Sequence, residues 1–181
     1  MIRGKNFNIR HVKKSDLCSL LPLLSDTQLR GDFLPSGIVS PAELEQRFDK
    51  DGFSSEAFER LLIVDHSDQI LGTLFHFKSV PYFNAREIGY TLLDPDQRNN
   101  GITTQAVKML TRYLFNALLI NRLEIRMDSR NLASEKVAIR NGFKLEGIAR
   151  GASFVGGRHV DMKVYALLRE EFQAGDTAQH P

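Results

Sequence analysis

The residues from Arg98 to Thr104 have the types and the order that bind an anion. They read RNNGITT, and Gly101 stands where a polar turn passes into a helix. The first N–H groups of a helix lack intrahelical partners and lie at the positive end of its dipole, so a phosphate can supply the missing acceptors. Gly101 lets a ligand reach the backbone, and Arg98 adds a cation. An ordinary surface turn explains the same composition, so both interpretations stay open.

Glu87 is the second group that could do chemistry. On the strand before the turn, alternation places Glu87, Gly89, Thr91 and Leu93 on one face and Tyr90 on the other, where we expect core. A carboxylate in an apolar strand is costly unless it is paired or open to a cleft. Glu87 can therefore act as a general base, or form a salt bridge with Arg86 or another surface cation.

Serine, cysteine and histidine are the other residue types here that could take part in catalysis or metal binding. Ser134, at the start of a short helix, can donate a proton or only cap that helix. Cys18 is the single cysteine, which excludes an internal disulfide and a cysteine metal cluster; its leucine neighbours predict a packed core thiol. The five histidines lack the spacing of metal ligands, so we predict no metal site.

The elements that position these groups follow from hydrophobic periodicity and turn residues. The predicted strands are 7–12, 61–65, 70–80, 86–94, 122–127, 143–148 and 159–167, and the predicted helices begin at Ser15, Ser40, Gly101 and Asn131. Pro22 is expected to kink or interrupt the first helix. The strand at 122–127 must run parallel to the strand before Gly101 if the unit is a right-handed crossover.

Length and composition limit the classes of protein. The 181 residues, 42% hydrophobic and 25% charged, suit one globular domain at 1–172 followed by a polar tail at 173–181 that we expect to be disordered. No apolar run is long enough for a membrane span, and no signal peptide is evident, so we expect a cytoplasmic protein. A net charge of +2 with dispersed basic residues argues against a nucleic-acid partner.

Three blocks of the chain together resemble one known family. Arg98-Asn99-Asn100-Gly101-Ile102-Thr103 resembles the Q/R-x-x-G-x-G/A pyrophosphate motif of the GNAT superfamily of N-acetyltransferases. The run from Asn131 to Gly147 is similar to the N-x-x-S-x-x-V-x-x-x-x-G-F-x-x-E-G block of its RimJ/RimL branch, and Glu87-Ile88-Gly89-Tyr90 and the closing DMKVYALLREEF resemble that branch too. The resemblance spans roughly 7–172. It implies an α/β (α+β) fold: one mixed, mostly antiparallel sheet of about seven strands, splayed at its centre, with helices on both faces.

The resemblance implies acetyl-CoA as the acetyl donor and gives each site residue a role. Glu87 would be the base, and Ser134 would protonate the leaving thiolate. Backbone N–H groups near Leu93 would hold the developing oxyanion. Thr103 departs from the pattern, which has Gly or Ala there. The residues expected to bind the cofactor are Leu92, Leu93, Arg98, Asn99, Asn100, Gly101, Ile102, Thr103, Thr104 and Asn131.

The acceptor amine stays open between two classes. The resemblance allows a protein or peptide N-terminus and also a small-molecule amine, and the alternative to an enzyme is a GNAT-fold domain that binds acyl-CoA without catalysis. We expect Phe33, Leu34 and the loop in the 150s to border the acceptor. His159 and Asp161 either meet the amine or are polar residues at a strand edge. A homodimer is plausible, but no residue of the sequence decides it.

Overall fold

The computed structural model describes residues 1–26, 31–33, 37 and 40–177. In this part of the chain the strands are β1 Ile2–Arg3, β2 Asn8–His11, β3 Phe58–Val64, β4 Ile70–Phe77, β5 Ala85–Leu92, β6 Arg122–Asp128, β7 Lys144–Val155 and β8 Arg158–Leu168. The helices are α1 Leu17–Ser25, α2 Pro41–Asp51, α3 Ile102–Ala117, α4 Leu132–Arg140 and α5 Arg169–Thr177, with 3₁₀ turns at Lys14–Asp16 and Pro95–Gln97.

All eight strands form one sheet in the order β1-β2-β3-β4-β5-β6-β8-β7. Neighbours are antiparallel except β5 and β6, which run parallel and are joined by the crossover helix α3. This confirms the mixed, mostly antiparallel fold and the parallel strand at 122–127. The sheet has eight strands rather than about seven because the two residues of β1 pair with β2, and a pair that short leaves no alternation in the sequence.

Helices cover both faces of the sheet over two separate apolar clusters. One cluster joins α3 and α4 to the inward residues of most strands, including Ile88, Leu110 and Leu123. The second packs α1 and α2 on the other face of the same sheet, around Leu20, Leu62 and Leu93. Ile88 and Leu93 therefore mark the two faces of the polypeptide at β5, and Glu87 lies on the face of Leu93.

The sheet opens between β5 and β6. The parallel pairing is restricted to Ala85–Arg122, Arg86–Leu123 and Glu87–Glu124, although β5 continues to Leu92 and β6 to Asp128. Beyond Glu87 the edge of β5 that faces β6 pairs with no strand in the described part of the chain. The splay expected at the centre of the sheet is present, and it is this gap that creates the site.

Several local expectations need correction. Cys18 is exposed, because Leu17, Leu20 and Leu21 occupy the buried side of α1 and leave the intervening position outside. α1 continues through Pro22. The 150s are not a loop: β7 reaches Val155 across an irregularity between Ala149 and Ser153. α5 extends to Thr177, so the polar segment expected after residue 172 begins in a helix, and 178–181 lie outside the described residues.

Candidate active site

The turn before α3 presents backbone N–H groups to an open cleft. Gly101 is the N-cap residue with φ +75°, no side chain caps the helix, and the first intrahelical bond runs from Gln105 N to Gly101 O at 3.0 Å. The amides of the first helical turn therefore have no intrahelical acceptor. A Cβ placed on Gly101 would meet nothing within 4 Å, so the space beside it is free for a ligand.

The cleft connects this turn to the gap in the sheet. Its volume is about 1010 Å³, and the cofactor-binding residues predicted from the sequence that line it are Leu92, Arg98, Asn99, Gly101, Ile102, Thr103, Thr104 and Asn131. Glu87 and Ser134 line it as well. The structure thus brings together most of the predicted site. A phosphate would meet unpaired amides and Arg98 at one end, which is the chemistry that a CoA pyrophosphate requires.

The start of α4 shows what Ser134 does. Asn131 is the N-cap residue, and its Oδ1 accepts from Ser134 N at 3.0 Å. The Ser134 hydroxyl does not cap the helix; it hydrogen-bonds the Tyr90 hydroxyl at 2.7 Å. Burial is the main cause that raises the pKa of Tyr90 to about 12, so this phenol keeps its proton at neutral pH. The Tyr90–Ser134 pair is a chain of two hydroxyls that ends in the cleft.

Two contacts hold α4 where Ser134 can face the cleft. The Glu135 carboxylate accepts from Lys163 Nζ at 2.7 Å and from the Tyr165 hydroxyl at 2.6 Å, which fixes the first turn of α4 on β8. Asn141 Nδ2 donates to Thr104 O at 3.2 Å and so joins the end of α4 to the start of α3. The two helices that border the cleft are therefore tied to each other and to the sheet.

Glu87 lies on the opposite face of the sheet from Tyr90 and Ser134, beside the same gap. Its side chain is 16% exposed, and Arg126 Nε lies 3.4 Å from Glu87 Oε2. Burial raises the pKa of Glu87 to about 7, against the opposing effect of Arg126. The two roles considered for Glu87, salt-bridge partner and general base, are therefore compatible. Glu87 has a cationic neighbour, and its pKa of about 7 still suits a general base.

Three phenylalanine side chains, Phe33, Phe75 and Phe77, line the cleft. Phe75 crosses Gly89 so closely that a Cβ there would lie 2.1 Å from Phe75 Cζ, which only glycine permits. Phe77 and Phe33 line the same cleft, and the Arg130 guanidinium lies 5.7 Å from the centre of the Phe33 ring. Phe33 is placed as expected, whereas Leu34 lies outside the described residues.

Some predicted roles do not fit the geometry. Leu93 is buried in the α1–α2 cluster, and its N–H donates to Leu71 O at 2.9 Å, so it cannot hold an oxyanion. Because successive amides of a strand point to opposite sides, those of Tyr90 and Leu92 face the gap instead. Asn100 is exposed and does not line the cleft.

The polar residues of β8 serve the fold. Asp161 accepts from Gly151 N at 2.8 Å, and the His159 ring lies 5.2 Å from that of Phe154. Neither residue lines the cleft.

Sequence reasoning missed Tyr90 and Arg126. Tyr90 was assigned to the core because its strand face is apolar, but the gap beside β5 leaves its hydroxyl at the cleft. The signal for Arg126 was present: it alternates with Arg122 and Glu124 on β6, the strand predicted to lie parallel to the strand of Glu87. Register, which sequence periodicity does not give, was needed to join them.

The described residues contain neither a metal-binding cluster nor a membrane-spanning helix. No three His, Cys, Asp or Glu side chains are grouped to hold a metal ion. None of the helices in this part of the chain combines the length and hydropathy that crossing a membrane requires.

Comparison with known proteins identifies the same family that the sequence motifs resemble. Residues 6–144 match the family model described as "Acetyltransferase (GNAT) domain". A probable N-acetyltransferase of Bacillus subtilis, YjcK, is 28% identical over 186 residues, covering 94% of this chain and 98% of the relative.

Two solved structures extend the comparison to the fold. RimL, a ribosomal L7/L12 α-N-protein acetyltransferase solved with coenzyme A, is 25% identical with a TM-score of 0.79, covering 92% of this chain and 97% of RimL. A spermidine N-acetyltransferase of Vibrio cholerae, solved with CoA and spermine, has a TM-score of 0.82 at 17% identity, covering 94% of this chain and 99% of its own, and so shows the fold alone.

These matches confirm the resemblance seen in the three sequence blocks, including its RimJ/RimL character. The family model covers well over half of the chain. The chain therefore belongs to the GNAT acetyltransferase family and is an acetyl-CoA-dependent N-acetyltransferase.

Proposed function

We propose that the protein acetylates the N-terminal amine of a protein or peptide by direct transfer in a ternary complex, with Glu87 as base and the Tyr90–Ser134 pair as proton donor. The observation that carries the proposal is the gap between β5 and β6. Glu87 borders it on one face of the sheet, and Ser134 borders it on the other. An acyl donor lying in the gap would meet both groups.

The cofactor end would hold acetyl-CoA mainly through the backbone. Unpaired amides at the start of α3 and Arg98 suit the pyrophosphate. Asn131 uses its carbonyl oxygen as the helix cap, which leaves its amide N–H groups for the pantetheine arm. The free edge of β5 can pair with that arm as a strand would. Acetyl-CoA supplies an acyl group on a good leaving thiol; the chain supplies position and protons.

The proton movements follow from the two faces. Glu87 accepts a proton from the amine nitrogen as the new C–N bond forms at the acyl carbon. Amides of Tyr90 and Leu92 face the gap and can donate to the acyl oxygen. Ser134 gives its proton to the sulfur as the C–S bond breaks, and Tyr90 replaces the Ser134 proton across their 2.7 Å hydrogen bond. After the products leave, water returns a proton to Tyr90 and Glu87 releases its proton to water, which restores the starting state.

The charge of the acceptor side favours a peptide over a polyamine. There the described lining residues include the carboxylates of Asp32, Glu87 and Asp128 and the guanidinium of Arg126, and Asp128 is paired with Arg130. A polyamine carries several separated cations and requires several unpaired acids along its path. A peptide N-terminus brings one amine followed by neutral backbone. RimL supports this choice as an acetyltransferase of a protein N-terminus.

The test is release of free CoA thiol with a panel of N-terminal peptides and polyamines. We expect peptides to be turned over at least tenfold faster in kcat/KM, with activity rising through about pH 7 as Glu87 loses its proton. Glu87→Gln should abolish that rise and lower kcat about 100-fold. Glu56→Gln is the matched control, since Glu56 pairs with Lys78 outside the cleft.

Two outcomes would contradict this proposal in different ways. Faster turnover of polyamines than of peptides would show that the acceptor is a small-molecule amine, and the proposed mechanism would stay unchanged. Acetyl-CoA binding without thiol release from any amine, with Glu87→Gln unchanged, would favour the non-catalytic binding domain.

A cytoplasmic location and a homodimer belong to the same proposal. The cytoplasm is where a ribosomal-protein N-terminus would meet the enzyme, and cell fractionation tests it. The residues to which we assign the mechanism, Glu87, Tyr90 and Ser134, lie in one protomer. We therefore expect equal turnover per site in monomer and dimer, which sedimentation and activity measured over a range of protein concentrations would check.

A further inference from the structure

Glu124 is a buried carboxylate that the mechanism does not use. It is 1% exposed, does not line the cleft, and lies directly opposite Glu87 in the parallel register of β5 and β6. Two carboxylates at neighbouring positions of paired strands repel each other, and burying a charge is costly without partners. Its position therefore needs an explanation in the contacts that it makes.

Two arginines of β6 bind Glu124 from either side. Glu124 Oε1 accepts from Arg122 Nε at 2.8 Å, and Glu124 Oε2 accepts from Arg126 Nε at 3.1 Å and Nη2 at 2.8 Å. The Arg126 fork is thus occupied by Glu124. Glu87 receives only the longer approach of Arg126 Nε, at 3.4 Å. Arg126 is shared between two carboxylates, and the buried carboxylate has the closer contacts.

The polar and charged groups around Glu87 come from β4, β6 and the early segment of the chain. On β4, Phe77 lies opposite Glu87, and the Ser79 hydroxyl that follows β4 hydrogen-bonds it. On β6, Arg122, Glu124 and Arg126 share its face, and Arg122 is also held by Glu146 of β7 at 2.6 Å. The early segment places Asp32 in the same cleft. Among the described residues, Arg126 is the cation paired with Glu87, so the position of Arg126 affects the pKa of Glu87 in addition to the effect of burial.

We propose that Glu124 is a positioning residue that holds the Arg126 guanidinium away from a closed ion pair with Glu87, so that the Glu87 carboxylate stays available to take a proton from the acceptor amine. The inference rests on the proposed role of Glu87 as base. A bidentate arginine would stabilise the carboxylate and make it a weaker base. Glu124 prevents this by engaging the same guanidinium.

The test compares two substitutions that should move the acid limb of kcat/KM in opposite directions. Glu124→Gln removes a negative neighbour and releases Arg126 towards Glu87, so the limb should move to lower pH by about one unit. Arg126→Gln removes the cation, so the limb should move to higher pH by a similar amount. Glu146→Gln is the matched control, because Glu146 is a carboxylate that binds Arg122 but contacts neither Arg126 nor Glu87. Its limb should not move.

Folding is checked by circular dichroism and by calorimetry of acetyl-CoA binding. In folded Glu124→Gln, an acid limb that rises, or one that stays in place while the Glu87 carboxyl midpoint also stays in place, overturns the proposal. If that variant does not fold, Arg126→Gln decides: a rise supports the shared arginine, and an unmoved limb overturns it.

A carboxyl ¹³C titration, with the Glu87 signal assigned through Glu87→Gln, separates this inference from the proposed function. A lower midpoint in Glu124→Gln, with a rate profile that does not follow it, would keep the positioning role and remove Glu87 as base. An unchanged midpoint would remove the positioning role alone.

Discussion

The two ends of the cleft are built from different parts of the polypeptide. At the start of α3 the backbone provides the site: uncapped amides and a glycine at φ +75°. At the gap between β5 and β6 side chains provide it, since Glu87, Arg126, Tyr90 and Ser134 reach the cleft from two strands and a helix. Both ends are held by one sheet, yet they depend on the sequence in different ways.

This difference explains why the turn at Gly101 tolerates many side chains, whereas the side chains at the gap between β5 and β6 depend on one another. A backbone site accepts many side chains, provided that φ and the space beside the glycine are kept. Thr103 can therefore replace the usual Gly or Ala. The side-chain site depends on partners: Arg126 is divided between Glu87 and Glu124, and Ser134 is bound to Tyr90. The effects of substitutions at the start of α3 should therefore be independent of one another, whereas those of substitutions at the gap should be coupled.

The largest effect should come from Gly101→Val, which fills the space beside the unpaired amides. We expect acetyl-CoA affinity to fall at least about 100-fold, since the valine would displace the phosphate from two or more amides and each lost charge-assisted hydrogen bond costs about 1.5–3 kcal/mol. The variant should also lose stability, because valine at positive φ is strained by about 1–2 kcal/mol. Calorimetry with acetyl-CoA and thermal unfolding measure the two effects.

Gly52→Val separates strain from binding. Gly52 has φ +64° at the end of α2, and a Cβ there also meets nothing within 4 Å. It should show the same loss of stability with unchanged affinity. Equal affinity in Gly101→Val and the parent protein would show that the start of α3 does not hold the cofactor.

A smaller effect is expected at the side-chain end from Ser134→Ala, and a still smaller one from Tyr90→Phe. Ser134→Ala removes the group that we assign to protonating the sulfur, so kcat should fall about tenfold to 100-fold while the affinity for acetyl-CoA stays within about twofold. Tyr90→Phe leaves Ser134 in place but removes its 2.7 Å partner. Burial already keeps the Tyr90 pKa near 12, so neither variant should move the acid limb at about pH 7.

The double variant tests the coupling. If Tyr90 acts through Ser134, the double variant should lose no more than Ser134→Ala alone. Additive losses would mean that the two hydroxyls work separately, and a shifted acid limb would mean that the substitutions disturb Glu87.

Sequence reasoning reached the backbone end more fully than the side-chain end. The motif around Gly101 is local, so its elements follow from spacing within one turn and one helix. Glu87 and Ser134 were also found, through blocks of sequence that keep their order. The Tyr90 contact was not, because a strand face that looks buried by alternation is open only where a neighbouring strand diverges. Divergence is a property of pairing between distant segments, which periodicity does not record.

The oxyanion donor shows the same limit on a finer scale. The sequence locates the strand end at Leu92 and Leu93 but not the side to which each amide points. The Leu93 amide bonds to Leu71 on β4, and the donors facing the gap belong to the residues before it. The eighth strand and the exposed Cys18 were missed for related reasons: a two-residue pairing leaves no pattern, and a residue between core leucines need not share their face.

The smallest effect should come from Thr103, where the chain departs from the family pattern at the backbone end. Thr103 is the second residue of α3 and lines the cleft. We expect its hydroxyl to donate to the phosphate beside the helix amides; because Thr103 is partly exposed, water can take the place of the hydroxyl, and the bond should contribute only about 0.5–1.5 kcal/mol. Thr103→Val keeps the branched shape and removes the hydroxyl, so acetyl-CoA affinity should fall about threefold to tenfold, whereas Thr103→Ser should bind like the parent protein. Tighter binding by Thr103→Gly than by either variant would mean that the side chain crowds the turn, and the backbone end would then be less tolerant of side chains than its geometry indicates.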